Sequence, residues 1–276
     1  MNPQLRRLLF IGIAAAGTAA VSAVPTAAWA LDQQPHGRQY SGSSTDTPEV
    51  GTGRDALRQI VQDRCVVNWS QHHDPAPCER VYLADSKTNH SGYAVLADRK
   101  GGAHYLLIPT QTMAGIESGE LLDPEAPNYF AEAWHARDLI TQYVGHPVAR
   151  SAIGLAVNTA HSRSQDQFHI HIECLRQDVF DSLHTAAERV TDIWSPVSVA
   201  GSTYQALRIM GDGLDGSNPF ELLANLSPAR HHMGDYTLVA AGMQFRGGPG
   251  FIVLTGTGPT GELLLDSSCA VAGAGG

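Results

Sequence analysis

The sequence predicts an α+β fold, an antiparallel β-sheet with helices packed on it. Three observations point there. Short runs of β-branched and aromatic residues are joined by tight, Gly- and Asp-containing turns, which favours antiparallel pairing. Between them lie segments whose apolar residues recur at helical spacing. Finally, 43% of the 276 residues are apolar, enough to bury a sizeable core and to exclude wholesale disorder.

Taken in chain order, residues 1–30 read as an export segment. Arg6 and Arg7 form a basic start, Leu8 to Val24 is an uncharged apolar run, Pro25 breaks any helix, and Ala28-Trp29-Ala30 fits a cleavage site. The same run is long enough to remain as a single-pass anchor. Either way the rest of the chain is expected outside the cytoplasm, at the extracytoplasmic face of the cell membrane. Residues 31–53 are polar and read as a linker. A domain is expected over 54–269, with a frayed tail of small residues at 270–276.

Within that domain, residues 54–64 place Ala56, Leu57, Ile60 and Val61 on one helical face. Runs 93–97 and 104–108 form a hairpin about the polar turn 98–102. A helix is expected over 128–143, opened by Pro127 and stopped before Gly145 and Pro147. Strands at 152–157 and 168–175 flank a polar loop, 158–167. A helix over 178–194 follows, with Val179, Leu183, Ala187, Val190 and Trp194 near one face. Strands at 204–209, 236–243 and 251–255 and a helix at 219–226 complete the pattern, with the helices expected on one face of the sheet.

Eighteen basic against twenty-seven acidic residues give a net charge of −9, which argues against general nucleic-acid binding. Thirteen histidines direct attention to phosphate or metal chemistry instead. An exported chain meets an oxidising compartment, so the four cysteines are disulfide candidates with three possible connectivities. Cys65 and Cys78 flank a polar loop that a bridge would close, leaving Cys174 and Cys269 as a second pair. The alternative keeps Cys174 as a buried thiol.

The strongest local signal is Gln167-Phe168-His169-Ile170-His171-Ile172-Glu173-Cys174. Strand alternation sends Phe168, Ile170, Ile172 and Cys174 to one face and His169, His171 and Glu173 to the other, the two imidazoles roughly 7 Å apart. Three uses compete for such a pair: a histidine nucleophile attacking phosphorus, metal ligation, or solvated histidines on an exposed face. The preceding loop carries Asn158, His161, Ser162, Arg163, Ser164 and Gln165, the donors a phosphoryl transition state requires. His161 also keeps a metal site with His169 and His171 open. Lys87, Asn89, His90, His104 and Arg176 read as surface residues, as do His72 and His73. Trp134 and Trp194 read as core, and the adjacent His231 and His232 point apart.

Asn158, Gln165 and His169-x-His171, in that order and spacing, resemble the histidine-triad superfamily of nucleotide hydrolases and transferases. Within it, the chain resembles the CDP-diacylglycerol pyrophosphatase family from Leu57 to about Tyr236. The carriers are Gly92-Tyr93-Ala94-Val95-Leu96, Tyr105 to Thr110, Gly115-Ile116-Glu117-Ser118, Ala133 to Asp138 and Ser164 to Cys174, with Cys65, Cys78 and His232 to Tyr236. The resemblance implies a histidine-triad-like fold and hydrolysis of CDP-diacylglycerol to CMP and phosphatidate in phospholipid metabolism. It implies His171 as nucleophile, His169 as its companion, and Asn158, Gln165, Ser164 and Arg163 around the phosphate. It implies no metal or other cofactor. The substrate's acyl chains imply work at a membrane surface. Glu173 stands where the full triad has a third histidine. Two rivals remain: a metal-dependent phosphoesterase using His161, His169 and His171, and a non-catalytic nucleotide-binding protein of the same fold. Oligomeric state is left open.

Overall fold

The computed structural model describes residues 53–84, 92–226, 229–258 and 260–273. The expected export segment, nearly all of the linker, and Lys87, Asn89 and His90 lie outside the described residues. Among the described residues no helix is long and apolar enough to cross a membrane.

Among the described residues ten strands form one antiparallel sheet. They are β1 (Arg80–Tyr82), β2 (Tyr93–Ala97), β3 (Tyr105–Pro109), β4 (Ile153–Val157), β5 (Ile170–Leu175), β6 (Ser195–Val199), β7 (Ser202–Met210), β8 (Thr237–Phe245), β9 (Gly248–Gly256) and β10 (Leu265–Asp266). Their spatial order is β1-β2-β3-β5-β4-β8-β9-β7-β6, with β10 paired to the end of β5. The histidine strand β5 is thus central, held by β4 on one side and by β3 and then β10 on the other.

The helices cover both faces of the sheet, not one. On the first face α3 (Tyr129–His135), α4 (Asp138–Val144) and α6 (Pro219–Ala224) pack Phe130, Trp134, Ile140 and Phe220 against Leu107, Leu155, Ile170 and Ile172. On the second face α1 (Ala56–Ile60) runs through a π-helical stretch, Val61–Val66, into α2 (Val67–His72). Leu57, Ile60 and Val61 cover Ala94, Leu96, Leu106 and Ile108 there. Further along, α5 (Gln177–Ala186) lays Val179 and Leu183 over Ala156, Val239, Ala241, Ile252 and Leu254. The reason is legible in the strands: β3, β4 and β5 are buried throughout, so each strand face required its own cover. Between the two apolar patches of the second face runs β5, which places His171 and Glu173 there before its last residue, Leu175, joins the patch under α5.

Two expected helices are shorter than their periodicity suggested. The 128–143 segment begins as expected, with Asn128 accepting a hydrogen bond from Ala131 N (3.2 Å), but breaks at Ala136-Arg137. There Arg137 turns back, donating to Trp134 O (2.6 Å) and laying its guanidinium over the indole (4.4 Å). The 178–194 helix stops at Ala186 and gives way to a 3-10 turn at Ala187–Arg189; the edge strand β6 then follows at 195–199, where no element was expected. Arg208 N donates to Thr191 O (2.7 Å), so neighbouring β7 already claims the chain before β6 begins. Pro196 is tolerated because an edge strand leaves one row of its N–H groups unpaired.

Both disulfides join the pairs expected. Cys65–Cys78 ties the π-helical stretch to the segment before β1, and Cys174–Cys269 ties β5 to the C-terminal segment. Their sequence separations are 13 and 95. Chain entropy assigns about 3 kcal/mol to a loop near the first length and about 4.7 kcal/mol to one near the second. Thermal melts of the paired Cys→Ala variants are therefore expected to show the larger loss for Cys174/Cys269. Equal losses would remove loop entropy as the source of the effect.

Candidate active site

Sheet register builds the site. Tyr105 opposes Ile172 and Leu106 opposes His171, so one residue further His104 comes opposite Glu173 on the same face. His104 is only 2% exposed, against the expectation of a solvated hairpin residue. The hairpin carries it inward, with Asp98 N donating to His104 O (3.0 Å), and the C-terminal segment closes over it, with Ala103 N donating to Ser267 O (2.7 Å). Sequence spacing carried no sign of this, because the pairing partner lies 67 residues away.

The resulting cluster is compact. His104 Nε2 lies 3.0 Å from His171 Nδ1, with the two rings stacked at 5.2 Å. The same Nε2 is 3.0 Å from Glu173 Oε1, which nevertheless makes no hydrogen bond. One ring nitrogen offers one proton or one lone pair, and His171 takes it. On the other side of His171, Nε2 lies 3.4 Å from Asn158 Nδ2 and 3.7 Å from Glu262 Oε2. Asn158, just past the end of β4, clamps Glu262 twice: its Oδ1 accepts from Glu262 N (3.0 Å) and its Nδ2 donates to Glu262 Oε2 (3.2 Å). Lys100 Nζ holds the remaining oxygen at 2.5 Å. His169 donates from Nδ1 to Gln167 O (2.8 Å), which sets its tautomer.

Burial dominates the electrostatics. It pushes His171 well below its usual 6.5, with neighbouring His169, His104 and Lys100 adding in the same direction. His169 and His104 are lowered by the same cause, outweighing the Gln167 carbonyl and Asp98 respectively. Burial also raises the Glu173 carboxyl to about 8, with Glu262 adding to the shift. The His104–Glu173 contact therefore joins two neutral groups near neutrality and is not an ion pair. Glu262 is the exception. Burial alone would raise it, but the hydrogen bond and charge of Lys100, with Asn158, hold it below the usual 4.5.

A cavity of about 300 Å³ opens on this cluster. Leu57, Ile60, Leu96 and Leu106 form an apolar wall; Asp98, Lys100, Ser164, Gln165, His169, His171 and Glu262 form a polar one. A larger cavity of about 720 Å³ beside α2 is lined, among the described residues, by no ionisable side chain, whereas the smaller one carries the histidines. Gln165 lines its rim but is engaged with the start of α1, accepting from Leu57 N (3.1 Å) and donating to Gly53 O (3.1 Å). Arg163 is turned aside, held by Glu117 (2.5 Å) and Asp166 (3.2 Å). His161 does not join the buried histidines: it is 79% exposed and paired with Asp235 at 3.0 Å. Among the described residues, His104, His171 and Glu173 are instead the group whose ligand atoms all come within 4.8 Å of one another. Glu262 and Lys100 were not anticipated as site residues, since nothing in a Gly-Glu-Leu-Leu stretch marks chemistry.

Glu173 couples folding to protons. An unfolded carboxyl releases its proton near 4.5, whereas the folded one keeps it to about 8. The folded state therefore holds more protons between those values, and stability from this group is full below about pH 4.5 and falls as pH rises towards 8. Glu173→Gln is expected to gain on the parent in thermal midpoint across that window. A difference that does not change with pH would contradict the assignment.

The site and the sheet that carries it fall inside one match to known proteins. The family model of CDP-diacylglycerol pyrophosphatase covers residues 52–273, a span that includes all ten strands and every side chain of the cluster. That membership makes the chain a hydrolase and supports CDP-diacylglycerol as its substrate. A buried pair of imidazoles opening on a cavity of about 300 Å³ is thus the central feature of a protein that belongs to the CDP-diacylglycerol pyrophosphatase family.

Proposed function

We propose that His171 is the nucleophile of a two-step hydrolysis of CDP-diacylglycerol to CMP and phosphatidate. The observation that carries this reading is the fixed orientation of its ring. Nδ1 faces His104 Nε2 at 3.0 Å, while Nε2 is directed towards Asn158 and the cavity-lining Glu262. With a proton on Nδ1 donated to His104, the lone pair on Nε2 is available for attack. Burial keeps the ring neutral, which a nucleophile requires.

In the first step Nε2 attacks the cytidylyl phosphorus, and the bond to the bridging oxygen breaks as phosphatidate leaves with its electron pair. In the second, water attacks the same phosphorus, the P–N bond breaks, and the pair returns to Nε2 as CMP departs. Charge spreads over the phosphoryl oxygens in both steps, so donors already in place matter most. Ser164, Lys100 and Asn158 are the donors at hand, the last two now given to Glu262, while His169 Nε2 carries a lone pair because its proton is on Nδ1. Arg163 would first have to leave Glu117 and Asp166.

The cavity, at about 300 Å³, is at the small end of ligand sites. It has room for a nucleotide headgroup and not for two acyl chains, which supports a substrate whose tails remain in a bilayer. Placement at the extracytoplasmic membrane face, by cleavage after Ala30 or by a retained anchor, is part of the same proposal. The metal reading in its original form loses support, because His161 lies apart at the surface.

The test follows CMP release from CDP-diacylglycerol in detergent with excess chelator. Parent turnover is expected, with loss on the order of 10⁴–10⁶ in rate for His171→Ala. His104→Ala is expected to lower kcat more than it raises KM, since it disturbs the tautomer and not the binding. A fully active His171→Ala would end the proposal. The pH profile offers a second check: lowered imidazoles place the acid limb of kcat/KM below the usual 6.5. An acid limb at or above 6.5 would show that His171 titrates as an ordinary exposed histidine.

A further inference from the structure

On the side of His171 away from the cavity, three ligand atoms converge with no function in the two-step reaction beyond setting a tautomer. We propose that His104 Nε2, His171 Nδ1 and Glu173 Oε1 form a site for a zinc-like divalent ion that switches the enzyme off. The inference rests on the nucleophile reading for its inhibitory consequence, and on geometry alone for the site itself.

A four-coordinate ion 2.0–2.1 Å from its ligands holds them about 3.3–3.4 Å apart. The three separations here are 3.0 Å, 3.0 Å and 3.8 Å, which bracket that spacing. Two imidazoles and a carboxylate are a donor set that zinc accepts, and the fourth position is left for water. Two independent features point to a ligand. Glu173 Oε1 is buried without a hydrogen bond, though its residue is 3% exposed. Each imidazole also has a carboxylate facing its opposite nitrogen: Asp98 Oδ1 at 3.9 Å from His104 Nδ1, and Glu262 Oε2 at 3.7 Å from His171 Nε2. Carboxylates in that position orient metal-bound histidines and raise their basicity.

The ion and the nucleophile exclude each other by proton balance. An ion on Nδ1 takes the lone pair there, so the proton of neutral His171 moves to Nε2, and the electron pair required for attack on phosphorus is no longer available. Glu173 gives its own proton to solvent as it becomes a ligand. Nothing is oxidised or reduced.

The test uses the full chain in detergent, stripped by chelator and desalted. Cobalt(II) is titrated first as a spectroscopic probe, then zinc as competitor, with CMP release measured alongside. The expected result is one cobalt per chain with the intense visible bands of a four-coordinate ion, displaced by zinc. Turnover is expected to fall about tenfold or more as zinc saturates and to return with chelator. Glu173→Gln should weaken zinc binding by at least about 10–100-fold, the loss that even an outer partner brings. His161→Ala, which removes an exposed histidine, should leave it unchanged. Only the weak spectrum of six-coordinate cobalt, or zinc affinity unchanged in Glu173→Gln, overturns the site. If that variant does not fold, the parent's cobalt spectrum decides by itself. Turnover that appears only when zinc is added overturns the inhibitory role together with the nucleophile reading. A four-coordinate spectrum in a chain active in chelator, with zinc inhibition, supports both.

Discussion

Two imidazoles and a carboxyl buried at the centre of a ten-stranded sheet constrain everything around them. An ion there would carry a desolvation cost of several kcal/mol, so His169, His171 and Glu173 are held in their neutral forms. Neutral groups at hydrogen-bonding distance must still agree on where each proton lies. The Gln167 carbonyl, which can only accept, settles that for His169, and the amide of Asn158, which can only donate from Nδ2, faces Nε2 of His171. The chemistry of the site is thus a consequence of its dryness: the same burial that makes the cluster costly keeps an imidazole lone pair ready for use.

That burial depends in turn on how the second face of the sheet is covered. α1 packs over β1, β2 and β3, while α5 packs over β4, β8 and β9. The strand between those patches puts His171 and Glu173 on that face. A slot between two helical covers gives the imidazoles walls on both sides, and the cavity that α1 helps to line opens on His169 and His171. The loop before β5 is tied to the start of that helix by the bidentate Arg54–Asp166 pair and by Gln165. The rim and the wall of the cavity are therefore a single unit, and a shift of α1 would be felt at Ser164.

The polar clamp opposite His171 joins distant stretches of chain. Asn158 follows β4, Glu262 precedes β10, and Lys100 belongs to the β2–β3 hairpin. Glu262 stays ionised because it receives a full ammonium and an amide together. A phosphate entering this side of the cavity would have to draw those two donors away from Glu262, whose ionised carboxylate lines the same cavity. The Cys174–Cys269 bridge fixes the C-terminal segment beside β5, close to where Glu262 must be held.

Much of this was legible in the order of residues. Alternation along 168–174 separated Ile170 and Ile172 from His171 and Glu173 because side-chain direction in a strand is a local property of the backbone. Helical spacing located α1, α3 and α6, and four cysteines behind an expected export segment pointed to two bridges. Local pattern also overreached where a tertiary partner intervened: Arg137 folding onto Trp134 cut one helix, and a bond from Arg208 N of β7 to Thr191 O takes up the chain where another was expected to run on. The sequence by itself determined the strand, its two faces and the family resemblance, since each depends on near neighbours in the chain. Only the tertiary structure decided that helices cover both faces, that His104 rather than His161 stands against His171, and that Glu262 and Lys100 complete the site. Those contacts arise from which strands and loops become neighbours, and periodicity along one segment carries no information about a partner a hundred residues away.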